Sequence, residues 1–221
     1  MPSLPNLLSL ACLALGFAAL GSVMAGEAEL AGGLLALGLL ADGFAGMAAA
    51  KLRRSTPLGR ELDSLGALIC FAVAAPLVAH AARLQAMQDA GRWVAAAYAV
   101  AGAIRLGRGD TLAEDWTAYR GLPLHTAGLG LVLSAQLSAG PLPVVAVAAL
   151  GVLLMFSPLR YPRLPKAMHL AAPLGVALAL SALGWRPATW LLALALAFYA
   201  LAGPLWAPAS LPARTARRPR R

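Results

Sequence analysis

Asp42 and Asp63 each adjoin a strongly apolar stretch, in a chain whose 221 residues include only nine Asp and Glu. A charged carboxylate at membrane depth costs about 3 kcal/mol unless something compensates it, so an acid there marks a candidate functional site. From Asp42 to Ala67 the sequence runs DGFAGMAAAKLRRSTPLGRELDSLGA. These two acids can serve a ligand or substrate, or they can pair with Arg53, Arg54 or Arg60 at the segment ends. Arg105 and Arg108, three residues apart, share one face at the end of a later apolar stretch. His80, His125 and His169 are scattered without metal spacing, and Cys12 and Cys70 lie inside apolar stretches, where they read as packing residues.

The elements that must position these groups follow from composition. Sixty per cent of the residues are hydrophobic and 12% are charged, with a mean hydropathy of +0.74, far from soluble averages. A spanning helix needs about 20 apolar residues. Eight segments qualify, at about 5–25, 28–50, 63–82, 91–106, 123–139, 141–157, 167–184 and 187–206. Gly140, Pro141 and Pro143 mark a turn between the fifth and sixth, which also fits one broken hairpin. The expected fold is therefore all-α, a polytopic membrane bundle. Small residues (Ala41, Gly43, Ala45, Gly46, Ala48, Ala49) crowd the second segment and favour close helix packing.

Of the 18 Lys and Arg residues, all but Arg83, Arg92 and Arg186 fall on one side of this topology. The positive-inside rule makes that side cytoplasmic, with both termini on it. Residues 1–25 have no Lys or Arg ahead of the apolar run, so a cleaved leader is not expected. Residues 1–207 read as one membrane domain. Residues 208–221, rich in Arg and Pro, read as a disordered basic tail suited to an anionic leaflet. The charge lacks aromatic interleaving, which argues against nucleic acid as a partner.

The stretch from Asp42 to Ala67 resembles the signature of the CDP-alcohol phosphatidyltransferases, D-x2-D-G-x2-A-R-x8-G-x3-D-x3-D. Asp42, Gly46, Ala49, Gly59 and Asp63 fall on motif positions. Ala45, Ala50 and Ala67 stand where the motif has its second aspartate, its arginine and its fourth aspartate. In a second register, with a three-residue insertion, Asp42-Gly43 becomes the second aspartate and its glycine; it fits fewer positions. Other short runs resemble the serine-using, integral-membrane branch of the family in the same order. They are PNLLSL at 5–10, ELDSL at 61–65, FAVA at 71–74, RLGR at 105–108, GLP at 121–123 and RYP at 160–162.

That resemblance implies a site facing the cytoplasm, in a protein of a bacterial inner membrane. The substrates would be CDP-diacylglycerol and a small alcohol such as serine, and a homodimer is usual. It implies that Asp42 and Asp63 are ligands of Mg2+ or Mn2+, and that Gly46, Gly59, Arg105 and Arg108 contact substrate. Glycine lets a nucleotide approach the backbone closely, and arginine suits phosphate or carboxylate through charge-assisted bonds. The family's proton acceptor would stand at Ala67, so the catalytic residue of this chain is not assigned. Two carboxylates undersupply a dinuclear site, but one magnesium ion can be held by few protein carboxylates, water and substrate phosphates. His125, two residues after Pro123, comes near the same face but reads first as an interfacial histidine. Two functions stay open: a phosphatidyltransferase of phospholipid synthesis, or a catalytically inactive relative that binds lipid, nucleotide or a protein partner.

Overall fold

A computed structural model describes residues 4–52, 56–109, 118–162 and 177–206. Arg53, Arg54, most of the expected seventh segment, the tail at 208–221 and the side chain of Ala50 lie outside the described residues.

Helix α1 (Leu4–Met24) and helix α2 (Ala28–Leu52) form an antiparallel hairpin. It turns at Gly26, whose φ of +82° favours a residue without Cβ. Helix α3 spans Pro57–Ala82 and starts six residues before the apolar pattern does. Thr56 caps it, its Oγ1 accepting the Gly59 N–H at 3.0 Å, and Pro57 fills the first turn. From Leu68 to Ala74 this helix widens into a π-helix. Pro76 follows two residues later; it has no N–H for the carbonyl four residues back and its ring crowds that carbonyl, and widening the preceding turn relieves both.

A 3-10 turn at Leu84–Met87 leads into α4 (Asp89–Gly109). Strand β1 (Ala118–Arg120) precedes α5 (Leu124–Leu137), and α6 (Pro141–Phe156) precedes β2 (Arg160–Pro162). Residues 177–182 are helical and form α7. Helix α8 (Arg186–Ala202) ends in a 3-10 turn at Gly203–Trp206. Strands β1 and β2 pair antiparallel, with Tyr119 opposite Tyr161.

Helix α3 runs through the core, where Cys70, Phe71, Ala72 and Val78 are fully buried. Three neighbours reach its π-helical segment only because they are glycines. A Cβ on Gly16 would lie 2.8 Å from Cys70 Sγ, one on Gly102 2.8 Å from Ala72 Cβ, and one on Gly128 2.8 Å from Phe71 Cβ. Helices α1, α4 and α5 thus close on the wide part of α3 at near-minimal distance. Cys12 and Cys70 are free thiols with sulfurs 3.7 Å apart, in keeping with the packing role expected of them.

The outer surface is apolar. Trp93, Leu153, Leu191, Leu194 and Leu201 are all well exposed, which suits acyl chains and would be a liability in water. The protein is a helical integral membrane protein. Among the described residues, four helices are long and apolar enough to cross a bilayer: Leu4–Met24, Ala28–Ala49, Pro57–Ala82 and Arg186–Trp206. Helices α5 and α6 are apolar but shorter, and α4 carries Asp89, Arg92, Arg105 and Arg108 along its 21 residues.

Candidate functional site

The hairpin of α1 and α2 lays the second half of α2 beside the first turns of α3, and this brings the two acids together. Asp42 and Asp63 sit within hydrogen-bonding reach of each other. Asp42 is partly buried, and Asp63 is exposed. On the α2 surface around Asp42, the faces of Gly43 and Gly46 are open, with no atom within 4 Å of where a Cβ would stand. A ligand can therefore reach the α2 backbone next to the acids.

A third helix contributes His125, in the first turn of α5. Its Nε2 lies 3.3 Å from Asp42 Oδ2, and its ring rests on Phe71 of the π-helical segment, centroids 5.0 Å apart. Two atoms here are buried without a hydrogen-bond partner among the described residues, Asp42 Oδ1 and His125 Nε2. The 3.3 Å approach is thus a close contact of poor hydrogen-bond geometry. Arg105, from α4, is near enough for its charge to act on His125. Its Nη2 donates to the Arg120 carbonyl at 2.9 Å, which ties α4 to the end of β1.

The ribbon explains how the short sequence runs meet. Arg105 bonds to Arg120, the Gly121 N–H donates to the Leu159 carbonyl at 2.7 Å, and the Leu122 N–H to the Leu154 carbonyl at 3.0 Å. Tyr161 is fully buried and its hydroxyl donates to the Ala200 carbonyl at 2.9 Å. Burial pushes its phenol pKa up, so it remains a donor. The runs at 105–108, 121–123 and 160–162 are therefore joined at the end of the bundle that carries Asp42 and Asp63.

The remaining motif positions divide. Arg108 places its guanidinium over the Phe156 ring, 5.6 Å from the centroid. Gly59 faces the first helix: a Cβ there would stand 2.7 Å from Asn6 Oδ1 and 3.1 Å from Thr56 Oγ1. Ala45 and Ala67 are each 3% exposed, and Ala67 belongs to the same apolar core as Cys12, Cys70 and Phe71. Among the described residues no group of three or more His, Cys, Asp or Glu side chains is placed to hold a metal ion. Yet the donor set fits a single hard cation, because a buried carboxylate oxygen without a donor is what such an ion satisfies. The contact that sequence reasoning ranked behind an interfacial role is His125. Its only signal was its place two residues after the turn at Gly121-Leu122-Pro123.

Residues 2–198 match the CDP-alcohol phosphatidyltransferase family. The chain is also similar to the CDP-diacylglycerol–serine O-phosphatidyltransferase of Bacillus subtilis (strain 168), 32% identical over 126 residues, which cover 57% of this chain and 70% of that protein.

Proposed function

The chain belongs to the CDP-alcohol phosphatidyltransferase family, and from that premise we propose that it transfers the phosphatidyl group of CDP-diacylglycerol to a small alcohol, serine first. The alcohol oxygen forms a bond to the phosphorus that carries the diacylglycerol, the bond from that phosphorus to the bridging oxygen breaks, CMP leaves, and the hydroxyl proton is released. Phospholipid synthesis is the family's setting, and the family is generally dependent on divalent metal.

One observation carries the reading: Asp42 and Asp63, from separate helices, meet beside an open stretch of backbone with Arg105 at hand. Asp42 and Asp63 would hold Mg2+ or Mn2+, which would supply positive charge against the pyrophosphate. Gly43 and Gly46 admit the nucleotide. Arg105 and Arg108 offer guanidinium groups to phosphate or to the serine carboxylate. The excess of basic residues at this end turns the site toward the cytoplasm of a bacterial inner membrane.

A specific observation also favours the second reading, an inactive relative that keeps the binding site. Positions 45 and 67 are buried alanines, position 67 within the apolar core, and no proton acceptor stands at 67. Purified protein in lipid vesicles, given CDP-diacylglycerol, serine and Mn2+ or Mg2+, distinguishes the two. Loss of a general base lowers a rate by about 10²–10⁴-fold. Slow CMP release is expected, that much below a relative with all four aspartates, and Asp63→Asn abolishes it. Binding of CDP-diacylglycerol with no CMP release leaves the second reading.

A further inference from the structure

His125 stands beside the Asp42 carboxylate, where a metal ligand would be useful, and its Nε2 is buried without a hydrogen bond among the described residues. Its Nε2 is 3.3 Å from Asp42 Oδ2. Two adjacent ligand atoms around one ion, each about 2.1 Å from it and at right angles, are about 3 Å apart. Nitrogen and oxygen are already at nearly that separation, with no well-aligned proton between them and with Asp42 Oδ1 also lacking a partner. The contact is an ion pair only when the imidazole is protonated; with a neutral imidazole whose Nε2 carries no proton, no positive charge separates the two atoms. Asp63 approaches Asp42 from α3, so α2, α3 and α5 each bring a donor to this end of the bundle, although as placed no three of the described donors share one ion position.

We propose that His125 Nε2 is a direct ligand of a single divalent ion held with Asp42 and Asp63, taking a position that the family's missing aspartates leave empty. The inference rests on the reading of this site as a metal-dependent one and specifies its first coordination sphere. A side-chain rotation of His125, whose ring is one-third exposed, closes the remaining distance. One ion with charge +2 balances the two carboxylates, whereas two ions would leave an excess of +2. The nitrogen ligand also sets selectivity. Magnesium demands oxygen ligands in near-ideal octahedral geometry, whereas a first-row transition ion such as Mn2+ accepts imidazole beside carboxylates.

The packing around His125 supports the ring on its Phe71 side. Pro123 ends the turn before α5, and Gly128, one helical turn beyond His125, presses on the Phe71 backbone, its absent Cβ 2.9 Å from the Phe71 carbonyl oxygen. Phe71 in turn supports the imidazole face. The ring is thus supported by the π-helical segment.

The test is spectroscopic and does not depend on turnover. Full-length protein in detergent is loaded with Mn2+, and electron spin-echo envelope modulation is recorded on unlabelled protein and on protein with 15N-histidine. A 14N coupling that becomes a 15N coupling on labelling is expected. In His125→Ala and in His125→Phe it disappears, and Mn2+ affinity falls by about 10- to 100-fold while Mg2+ affinity falls far less. Mn2+ bound without histidine nitrogen coupling overturns the proposal, as does failure of the wild-type protein to bind Mn2+. The wild-type spectrum decides the matter even if a variant fails to fold. The coupling stands or falls independently of CMP release, so a dead enzyme with coordinated nitrogen refutes the proposed reaction and leaves the ligand assignment intact.

Discussion

At position 67 chemistry and packing make opposite demands. The family motif places an aspartate there, yet Ala67 is 3% exposed and packed with Cys12, Cys70 and Phe71. It is also the last residue of regular α-helix before α3 widens. A carboxylate added here enters an apolar site without a prepared partner. Ala67→Asp is expected to destabilise the protein by about 3 kcal/mol in the absence of divalent ions, seen as a lower thermal unfolding midpoint in detergent, with part of the loss recovered in Mn2+. An unchanged midpoint without metal would show that the pocket of the lost aspartate is still open. Asp42 and Asp63 were legible as candidates because acids are so rare and so costly in this chain. Their neighbour His125 was not, since it lies 83 and 62 residues away in sequence and neutral imidazole is cheap enough at an interface to need no explanation. Gly59 shows the reverse case. Its motif position suggests a nucleotide, but its α-carbon faces Asn6 and Thr56, so α1 packing alone already requires glycine there.

The element that assembles the site is the three-residue ribbon of β1 and β2, with the turn that follows it. Gly121 has φ of +75°, and a Cβ there would collide with the Met155 carbonyl oxygen. From this residue the chain reaches His125 in four steps, so strain at 121 moves the imidazole relative to Asp42. Gly121→Ala is expected to cost about 1–3 kcal/mol. Gly46→Ala, on an open helical surface, is expected to leave stability unchanged or raise it by up to about 1 kcal/mol. Chemical or thermal unfolding of the two variants side by side checks this, and equal midpoints would contradict the role of the turn. Helices were readable from sequence because long apolar runs have few other solutions in a bilayer. The ribbon was not, because strands of three residues carry no usable alternation and their partners are 40 residues apart, Arg120 opposite Arg160. The widened segment of α3 had a local cause in Pro76, but the glycines that close on it come from three other helices. Only the folded arrangement shows why Gly16, Gly102 and Gly128 are small.

For the whole molecule, the distribution of charge ties the site to one membrane face. Asp42 lies in the second half of α2, Asp63 in the early turns of α3, Arg105 in the last turns of α4 and His125 at the start of α5. All four therefore occupy the end of the bundle where the basic residues gather, while Arg83 and Arg92 mark the other end. Moving the strongly basic end across a membrane is opposed by the same preference that orients such proteins during insertion. The two native cysteines are 1% and 0% exposed, so an introduced surface cysteine reports its own location. Gln85→Cys, in the exposed turn between α3 and α4, is expected to react with a membrane-impermeant thiol reagent on intact bacterial cells. Glu61→Cys, on the exposed first turns of α3, is expected to react only in inverted membrane vesicles. The labels distinguish the two faces whether or not the enzyme turns over, and they also test the site. A cytoplasmic position gives the acids access to a soluble acceptor such as serine and to departing CMP. The opposite labelling pattern would put Asp42 and Asp63 on the outer face, away from the cytoplasmic pools of both, and would remove the physical basis for the proposed reaction.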